Sequence, residues 1–341
     1  MKSLDVLCLT YHDWANSMYR YVKCLEYLGL NVQAYKGAPH NFDYPHQIAI
    51  HTGIIQGKAK SEVPAWTICT GLRQLAEEAR VIHYFASTFI DTGIEMKDKK
   101  CIVQHGGTMY RMHPKECNDL FNGFADMAVC QYPTLLELGA DNECWIPYPV
   151  DTEFIQPDYT RYGKDKLLIG HFPSNKDVKG TENINRVIDK LGCDPEYCNR
   201  FEYIGVRPGI YYPGELASWY INLKRLERCD IIIETCQPEY GGKPFGEWGN
   251  TALEAAALGK IVITNSIHSK LYKKEFGYSA LHIANNESEL ESALKELFSL
   301  TDMDIQNRKE ESRVWVEEKH SIPATAERLW DLVYKPLLGQ S

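Results

Sequence analysis

One stretch of the sequence combines glycines, carboxylates and small polar side chains directly before a helical pattern. Two glycines within residues 244–255 allow the backbone to approach a ligand closely. A helix capped by Asn250 or Thr251 would direct its first-turn amides at a phosphate. The carboxylates of Glu247 and Glu254 could accept hydrogen bonds from the hydroxyl groups of a ribose or a sugar. Alternatively, Glu247 is a solvated loop residue and Glu254 only complements the helix dipole. The candidate ligand-binding residues are Gly246, Glu247, Gly249, Asn250, Thr251 and Glu254.

A second polar loop, residues 171–181, follows an apolar run and precedes another helical pattern. Its lysines and hydroxyl groups are able to bind a diphosphate, and Thr181 is a candidate cap for the helix. A polar surface turn would have the same composition. The candidate diphosphate ligands in this loop are Ser174, Asn175, Lys176 and Lys179.

A third loop begins at His105, which ends an apolar run and is followed by Gly106 and Gly107. A histidine at the carboxyl end of a strand can place its imidazole in a ligand-binding cleft. A structural hydrogen-bonding role is the alternative for a single histidine.

The elements around these loops alternate between short apolar strands and helical patterns. This alternation predicts parallel sheets covered on both faces, with ligands bound beyond the carboxyl ends of the strands. Prolines and polar residues near 145–166 indicate a linker between two such lobes. The predicted strands are 4–10, 31–35, 80–85, 101–105, 128–130, 167–170, 201–205, 230–234 and 260–264. The predicted helices begin near 16, 183, 215, 251 and 287, and the last helix covers 324–338.

We therefore expect an α/β protein with two doubly wound, Rossmann-like lobes that face each other across a cleft. The predicted domains are residues 1–155, residues 156–321 and a C-terminal helix, 322–341, that returns to the first lobe. The apolar stripe of that helix includes Leu329, Val333 and Leu337.

Length and composition set further limits. The 341 residues are typical of two domains, and the net charge of -9 argues against binding nucleic acid through bulk charge. No apolar run reaches the length of a membrane span, and the start does not read as a secretion signal. The eleven scattered cysteines contain no CxxC pair, so we expect reduced, mostly buried thiols and a cytoplasmic location.

The loops and their flanking segments resemble family 4 and related retaining glycosyltransferases of the two-lobed GT-B fold, over nearly the whole chain. Two features depart from the family pattern: Glu247 and Glu254 are seven positions apart rather than eight, and His171 stands where an arginine is common. The segments that carry the resemblance are His105-Gly106-Gly107 with Tyr110-Arg111, Ala125-Asp126, Ile146-Pro147, Val150-Asp151, Lys179-Gly180-Thr181 and Glu254-Ala255.

The resemblance implies a nucleoside-diphosphate sugar bound by the second lobe and a hydroxyl acceptor bound by the first. It implies transfer with retention of configuration and with neither a metal nor another cofactor. Lys179 and the amides near Thr251 would stabilise the leaving diphosphate, Glu254 would bind the ribose, Glu247 the sugar hydroxyls, and His105 the sugar. The implied acceptor-side residues are Trp14, Asn16, Gly106, Gly107 and Arg111.

Three other functions share this architecture. A nucleotide-sugar 2-epimerase would interconvert sugars without an acceptor, and an inactive relative would bind the nucleotide sugar only. A transferase acting on modified DNA bases would need basic patches, for which 111–115 and 270–274 are the candidates. The acceptor is otherwise a carbohydrate, a lipid-linked sugar or another hydroxyl compound, and a lipid-linked acceptor would bring the protein to a membrane surface.

Overall fold

The computed structural model describes residues 4–40, 42–56, 67–161, 165–206 and 218–339. The chain divides into two compact units, Met1–Pro149 with Ile322–Ser341, and Val150–Ser321. Each unit contains a parallel sheet covered by helices, which confirms the predicted α/β class. The C-terminal segment, Ile322–Ser341, belongs to the first unit.

The first unit contains a seven-stranded parallel sheet and a separate three-stranded sheet. Its strands are β1 (Val6–Thr10), β2 (Val32–Lys36), β3 (Ala49–Ile50), β4 (Ile54–Gln56), β5 (Thr67–Cys69), β6 (Val81–Tyr84), β7 (Ile90–Asp91), β8 (Lys100–His105), β9 (Met127–Cys130) and β10 (Glu143–Trp145). The large sheet has the order β10-β9-β8-β6-β1-β2-β3, and the small sheet β4-β5-β7. Buried apolar runs form its central strands, as in parallel sheets covered on both faces.

Helices cover both faces of the large sheet. One face packs against the helix Ser17–Tyr27 and the C-terminal segment, through residues that include Leu25, Leu329 and Val333. That segment is interrupted by a π-helical turn, Trp330–Tyr334, whose Tyr334 hydroxyl lies 2.8 Å from Nδ1 of buried His83. The helices of this unit are α1 (Ser17–Tyr27), α2 (Arg73–Glu78), α3 (Gly107–Met112), α4 (Pro114–Phe121), α11 (Ile322–Leu329) and α12 (Lys335–Leu338).

The amino end of α1 is capped from outside the helix. Asn16 occupies the N-cap position, but its side chain makes no capping hydrogen bond. The carboxylate of Asp13 instead accepts hydrogen bonds from the backbone amides of Met18 at 2.7 Å and Tyr19 at 3.2 Å. A carboxylate from the preceding turn therefore satisfies amides that have no partner within the helix.

The second unit is built on a five-stranded parallel sheet and a short hairpin. Its strands are β11 (Leu167–His171), β12 (Phe201–Gly205), β13 (Ile231–Ile233), β14 (Glu239–Tyr240), β15 (Lys243–Pro244), β16 (Ile261–Thr264) and β17 (His282–Ile283). The sheet has the order β12-β11-β13-β16-β17, and β14 pairs with β15. Ile231 and Ile233 of β13 pack against the helices Thr181–Cys193 and Glu287–Ser299 in the core of this unit.

The helices of the second unit begin earlier than predicted at two loops of interest. The segment 250–257 starts at Asn250, so Gly249 and not Asn250 or Thr251 occupies its N-cap position. Likewise Gly180, with φ of 66°, precedes the helix that starts at Thr181. Residues 215–217 of the helix predicted from 215 lie outside the described part. The helices are α5 (Thr181–Cys193), α6 (Trp219–Glu227), α7 (Asn250–Ala257), α8 (Ser269–Phe276), α9 (Glu287–Ser299) and α10 (Asp302–His320).

The strand order of each sheet reverses next to its first strand. In the first unit β1 lies between β2 and β6, and in the second β11 lies between β12 and β13. Open α/β sheets bind ligands beyond the carboxyl ends of the strands at such switch points. Within the described ranges, no helix is long and apolar enough to cross a membrane.

Candidate functional site

The carboxylate of Glu234 lies at the switch point of the second unit, directly after β13. It forms an ion pair with Lys179 Nζ, accepts the backbone N–H of Gly249 at 3.2 Å, and accepts the Thr264 hydroxyl at 2.8 Å. Its side chain is only 1% exposed, whereas that of Lys179 is 22% exposed. The loop 171–181, called the lysine loop below, and the amino end of α7 therefore converge on one anionic group.

Glycine is required where these two loops approach their neighbours. A Cβ on Gly249 would lie 2.8 Å from Glu234 Oε1 and 3.1 Å from Lys179 Nζ. A Cβ on Gly180 would lie 2.6 Å from the carbonyl oxygen of Cys236. The sequence predicts that the backbone at Gly249 approaches a ligand closely. In the structure this backbone lies against the carboxylate of Glu234.

His171 connects the loop to the sheet and is not positioned as a surface cation. Its Nδ1 lies 2.8 Å from the carbonyl oxygen of Ile233, so Nδ1 donates, and Nε2 accepts the Thr181 hydroxyl at 2.9 Å. Burial lowers the pKa of His171 to about 4, which keeps the ring neutral. The positive charge of this loop therefore comes from its lysines.

The other polar residues of the lysine loop lie at the surface. Ser174, Asn175 and Lys176 are exposed. Asn175 Oδ1 accepts the backbone amides of Asp177 at 3.1 Å and Val178 at 3.3 Å, so the side chain organises its own turn. Of the four predicted diphosphate ligands in this loop, Lys179 is the one that contacts the amino end of α7 through Glu234.

Glu247 is buried against the turn that follows β16. Its side chain is 2% exposed; Oε2 accepts the Ser266 hydroxyl at 2.9 Å, and Oε1 accepts the His268 backbone amide at 2.8 Å. Nδ1 of His268 lies 2.7 Å from the same Oε1. Gly246 strengthens the connection, because its carbonyl oxygen accepts the Ile267 amide at 2.7 Å.

Glu254 lies one turn inside α7 and is also buried. Its Oε1 accepts the indole N–H of Trp219 at 2.9 Å, which connects α7 to the start of α6. Asn250 and Thr251 are half-buried in the first turn of α7. The carboxylates of Glu247 and Glu254 therefore have different surroundings, although the sequence suggested similar roles in binding hydroxyl groups.

His105, at the end of β8 in the first unit, is fully buried. Its ring stacks on Tyr110 with the centroids 3.8 Å apart, and Nδ1 lies 2.9 Å from the Ser87 hydroxyl. Burial lowers the pKa of His105 to about 3, so the imidazole is neutral. Nε2 has no hydrogen-bond partner among the described residues.

The switch point of the first unit has an unusual backbone. Ala15 and Asn16 have φ of 55° after β1, and Ala86 and Ser87 have φ of 56° after β6. Non-glycine residues rarely adopt this conformation, which is often found at functional sites. Trp14, in the same segment, is 58% exposed, whereas Asn16 is buried and donates through Nδ2 to the His46 carbonyl oxygen at 2.9 Å.

The remaining acceptor-side residues follow β8: Gly106 precedes α3, and Gly107 and Arg111 lie within it. A Cβ on Gly106 would lie 2.7 Å from Gln131 Oε1, and Gly107 begins α3 with φ of 68°. Buried Arg111 donates through Nη2 to the Thr134 hydroxyl at 3.0 Å, so it connects α3 to the turn after β9.

Glu234, His268 and Ser87 are candidate functional residues that sequence reasoning missed. Each follows a buried parallel strand by one to four positions. The rule that ligands bind at the carboxyl ends of strands, applied to every strand, would have found them. The part of the chain that the structure describes contains no group of three or more His, Cys, Asp or Glu side chains arranged to hold a metal ion.

Comparisons with known proteins identify the fold. No protein-family model and no curated protein sequence matches the chain. A solved structure of Anabaena HepE in complex with UDP and glucose matches 97% of this chain and 99% of its own, with a TM-score of 0.60 and 12% identity.

Two further solved structures have the same architecture. Sucrose-phosphate synthase from Thermosynechococcus elongatus matches 99% of this chain and 100% of its own, with a TM-score of 0.55 and 14% identity. AviGT4, a glycosyltransferase involved in avilamycin A biosynthesis, matches 98% of each chain, with a TM-score of 0.52 and 15% identity. The protein therefore shares the GT-B fold of these structures, which confirms the fold predicted from its sequence.

Proposed function

We propose that the protein is a glycosyltransferase that moves a sugar from a nucleoside-diphosphate sugar to an acceptor hydroxyl. The observation that carries the proposal is the convergence of Lys179 and the Gly249 amide on one carboxylate at the switch point of the second unit. Donors that converge on one anion are what a diphosphate requires. HepE, of the same fold, was solved with UDP and with UDP-glucose, which makes these the first compounds to test.

The diphosphate is assigned to the amino end of α7. Lys179 is partly exposed, so its ammonium group can turn from Glu234 to a phosphate oxygen. The first-turn amides at Asn250 and Thr251 add the positive end of the helix dipole. Together these groups stabilise the charge that grows on the leaving diphosphate, without a metal ion. Glu254, one turn further along α7, is assigned to the ribose hydroxyls.

Retention of configuration is proposed to proceed by attack on the same face from which the diphosphate leaves. A covalent glycosyl-enzyme would need an accessible carboxylate, and Glu247 is buried with both oxygens hydrogen-bonded. That arrangement supports an ion-pair mechanism in which the departing phosphate assists the acceptor hydroxyl.

The acceptor is assigned to the first unit. The buried polar atoms of that unit without a hydrogen-bond partner among the described residues include three near the carboxyl ends of β1 and β8, namely Asn16 Oδ1, Gln104 Oε1 and His105 Nε2. Unpaired buried polar atoms are costly, so a ligand rich in hydroxyl groups would satisfy them. Because its ring is neutral, His105 would act as a hydrogen-bonding group rather than as a cation.

A panel of nucleoside diphosphates and their sugars, screened by thermal shift, tests the proposal. Ligands that bind only the native state stabilise it by mass action, by about 2.7 kcal/mol at a ligand concentration one hundred times Kd. This stabilisation raises the melting temperature. We expect a nucleoside diphosphate and its sugar to produce a shift, and the sugar donor to be hydrolysed slowly without an acceptor. Interconversion of the donor sugar would indicate an epimerase instead, and binding without turnover an inactive relative.

The products of a reacting donor test the finer claims. Proton NMR of the first-formed product reports whether the anomeric configuration is retained, and turnover in the presence of EDTA reports whether a metal is needed. An inverted product would contradict the proposed mechanism, and loss of turnover in EDTA would contradict metal independence.

A further inference from the structure

The carboxylate of Glu247 is surrounded by protein donors. Ser266 donates to one oxygen, and the amide and imidazole of His268 both contact the other. With its side chain 2% exposed, Glu247 presents no oxygen to a ligand without losing one of these bonds. The group that this carboxylate holds at the surface is the His268 imidazole, which is 34% exposed.

The contacts determine how the imidazole is oriented. An ionised carboxylate only accepts hydrogen bonds, so Nδ1 of His268 carries the proton and donates it to Glu247 Oε1 over 2.7 Å. In the neutral ring Nε2 is then the acceptor, and it lies on the far side of the ring from Glu247. A carboxylate that fixes one nitrogen of an imidazole in this way also fixes which group the other nitrogen can recognise.

The fold places this imidazole beside the proposed diphosphate site. His268 follows β16, which pairs with β13, and Glu234 follows β13. The turn that bears His268 is joined to residues 246–249 through the Ile267 amide and the Gly246 carbonyl oxygen. A Cβ on Gly246 would lie 2.6 Å from the Ile267 side chain, so the two turns pack without a gap.

We propose that His268 is a further ligand-contacting residue of the donor site, and that its Nε2 accepts a hydrogen bond from a hydroxyl group of the transferred sugar. Glu247 is then a positioning residue that acts through His268, rather than a direct sugar ligand. This inference rests on the proposed function. It replaces the role expected for Glu247 from the sequence, because the carboxylate is already occupied.

Two substitutions of His268 distinguish the contribution of Nδ1 from that of Nε2. The amide nitrogen of His268→Asn lies near the position of Nδ1, so it keeps the bond to Glu247 and loses Nε2. The longer side chain of His268→Gln places an amide near Nε2. We expect His268→Asn to raise the KM for the sugar donor about 3- to 10-fold with kcat nearly unchanged, the size of one neutral hydrogen bond. His268→Gln should recover part of this loss.

The affinity for the nucleoside diphosphate alone provides the internal reference. It should stay within about twofold of the wild-type value in His268→Asn, because this ligand lacks the sugar. His282→Asn, on the edge strand β17 of the same sheet, is the matched control and should leave both quantities unchanged. A purely structural role for His268 would lower both affinities together.

Variants of Glu247 test whether it acts through the ring. Glu247→Gln can still accept from His268 and donate to Ser266, so its donor KM should rise less than that of Glu247→Ala. Glu247→Ala should raise the donor KM as much as His268→Asn, and the double variant should be no worse than either single variant.

The outcomes distinguish the inference from the function on which it rests. If wild type binds the nucleoside diphosphate and its sugar but His268→Asn leaves the donor KM unchanged, the inference is overturned and the proposed function stands. If Glu247→Ala raises the donor KM and His268→Asn does not, Glu247 contacts the sugar itself, which also overturns the inference. If wild type binds neither compound, both proposals fail.

Discussion

Gly249→Ala adds one methyl group at the centre of the proposed diphosphate site. The backbone of Gly249, with φ of -101° and ψ of -173°, is extended, so alanine introduces no backbone strain. The new Cβ would lie 2.8 Å from Glu234 Oε1, and ordinary contact begins at 3.4 Å, so the carboxylate must withdraw by about 0.6 Å. Lys179 Nζ, at 3.1 Å, is displaced as well.

Loss of one charge-assisted hydrogen bond to a phosphate costs about 1.5–3 kcal/mol, or roughly 10- to 150-fold in Kd. We therefore expect isothermal titration calorimetry to show the Kd of the nucleoside diphosphate raised by at least about tenfold. The accompanying loss of stability should be small, about 1 kcal/mol, since only side chains need to move.

Gly192→Ala is the matched control. Gly192 lies within α5, and a Cβ there would meet no atom within 4 Å. Alanine in a helix is favoured over glycine by about 0.5–1 kcal/mol, so this variant should be slightly more stable and bind normally. If folded Gly249→Ala binds the nucleoside diphosphate within twofold of wild type, the diphosphate does not lie at the amino end of α7.

Three further expectations follow from individual side chains. Glu254→Ala should weaken nucleoside diphosphate binding about tenfold or more, whereas Glu254→Gln, which can still accept the Trp219 indole N–H, should lose less; equal affinities in all three proteins would contradict the ribose assignment. His105→Ala should keep the thermal shift with the nucleoside diphosphate, lose most transfer, and lower stability by about 2–3 kcal/mol through the cavity it leaves; normal transfer would exclude a role for the ring. Acidification should destabilise the protein, because burial lowers the pKa of His83 and His105 to about 3 and of His171 to about 4, so below pH ~6.5 only the unfolded chain gains these protons. Burial of Asp13 raises its pKa to about 6 and offsets part of this loss, leaving about 2 kcal/mol between pH ~6.5 and ~5.5; urea unfolding curves that coincide at these two pH values would contradict it.

The sequence predicts the central strands of the two large sheets because they are buried on both faces. It does not predict the edge strands β3, β10 and β17, the three-stranded sheet or the β14–β15 hairpin. Strand 201–205 is predicted with its observed bounds, and the other predicted strands differ from the observed ones only at their ends. The helix starts are less predictable, because capping depends on tertiary contacts. Asp13 reaches the amides of α1 from the preceding turn, and a glycine precedes both α5 and α7.

The loops of the site are predictable from the sequence, but the partners of their side chains are not. Lys179 and Gly249 are 70 positions apart, and they meet only because β11 and β13 are neighbours in the sheet. Glu234 has no motif around it, so only the strand order reveals that it joins them. Glu247 resembles a ligand-binding glutamate in the sequence, whereas its bonds to Ser266 and His268 come from the tertiary fold.

A crystal structure of the protein with UDP, or with whichever nucleoside diphosphate gives the largest thermal shift, tests directly whether the diphosphate binds at the amino end of α7. We expect electron density for the diphosphate with oxygens about 3 Å from Lys179 Nζ and from the amides of residues 249–251. Lys179 should have turned away from Glu234. A nucleotide bound elsewhere on the protein, with the Lys179–Glu234 ion pair intact, would contradict it.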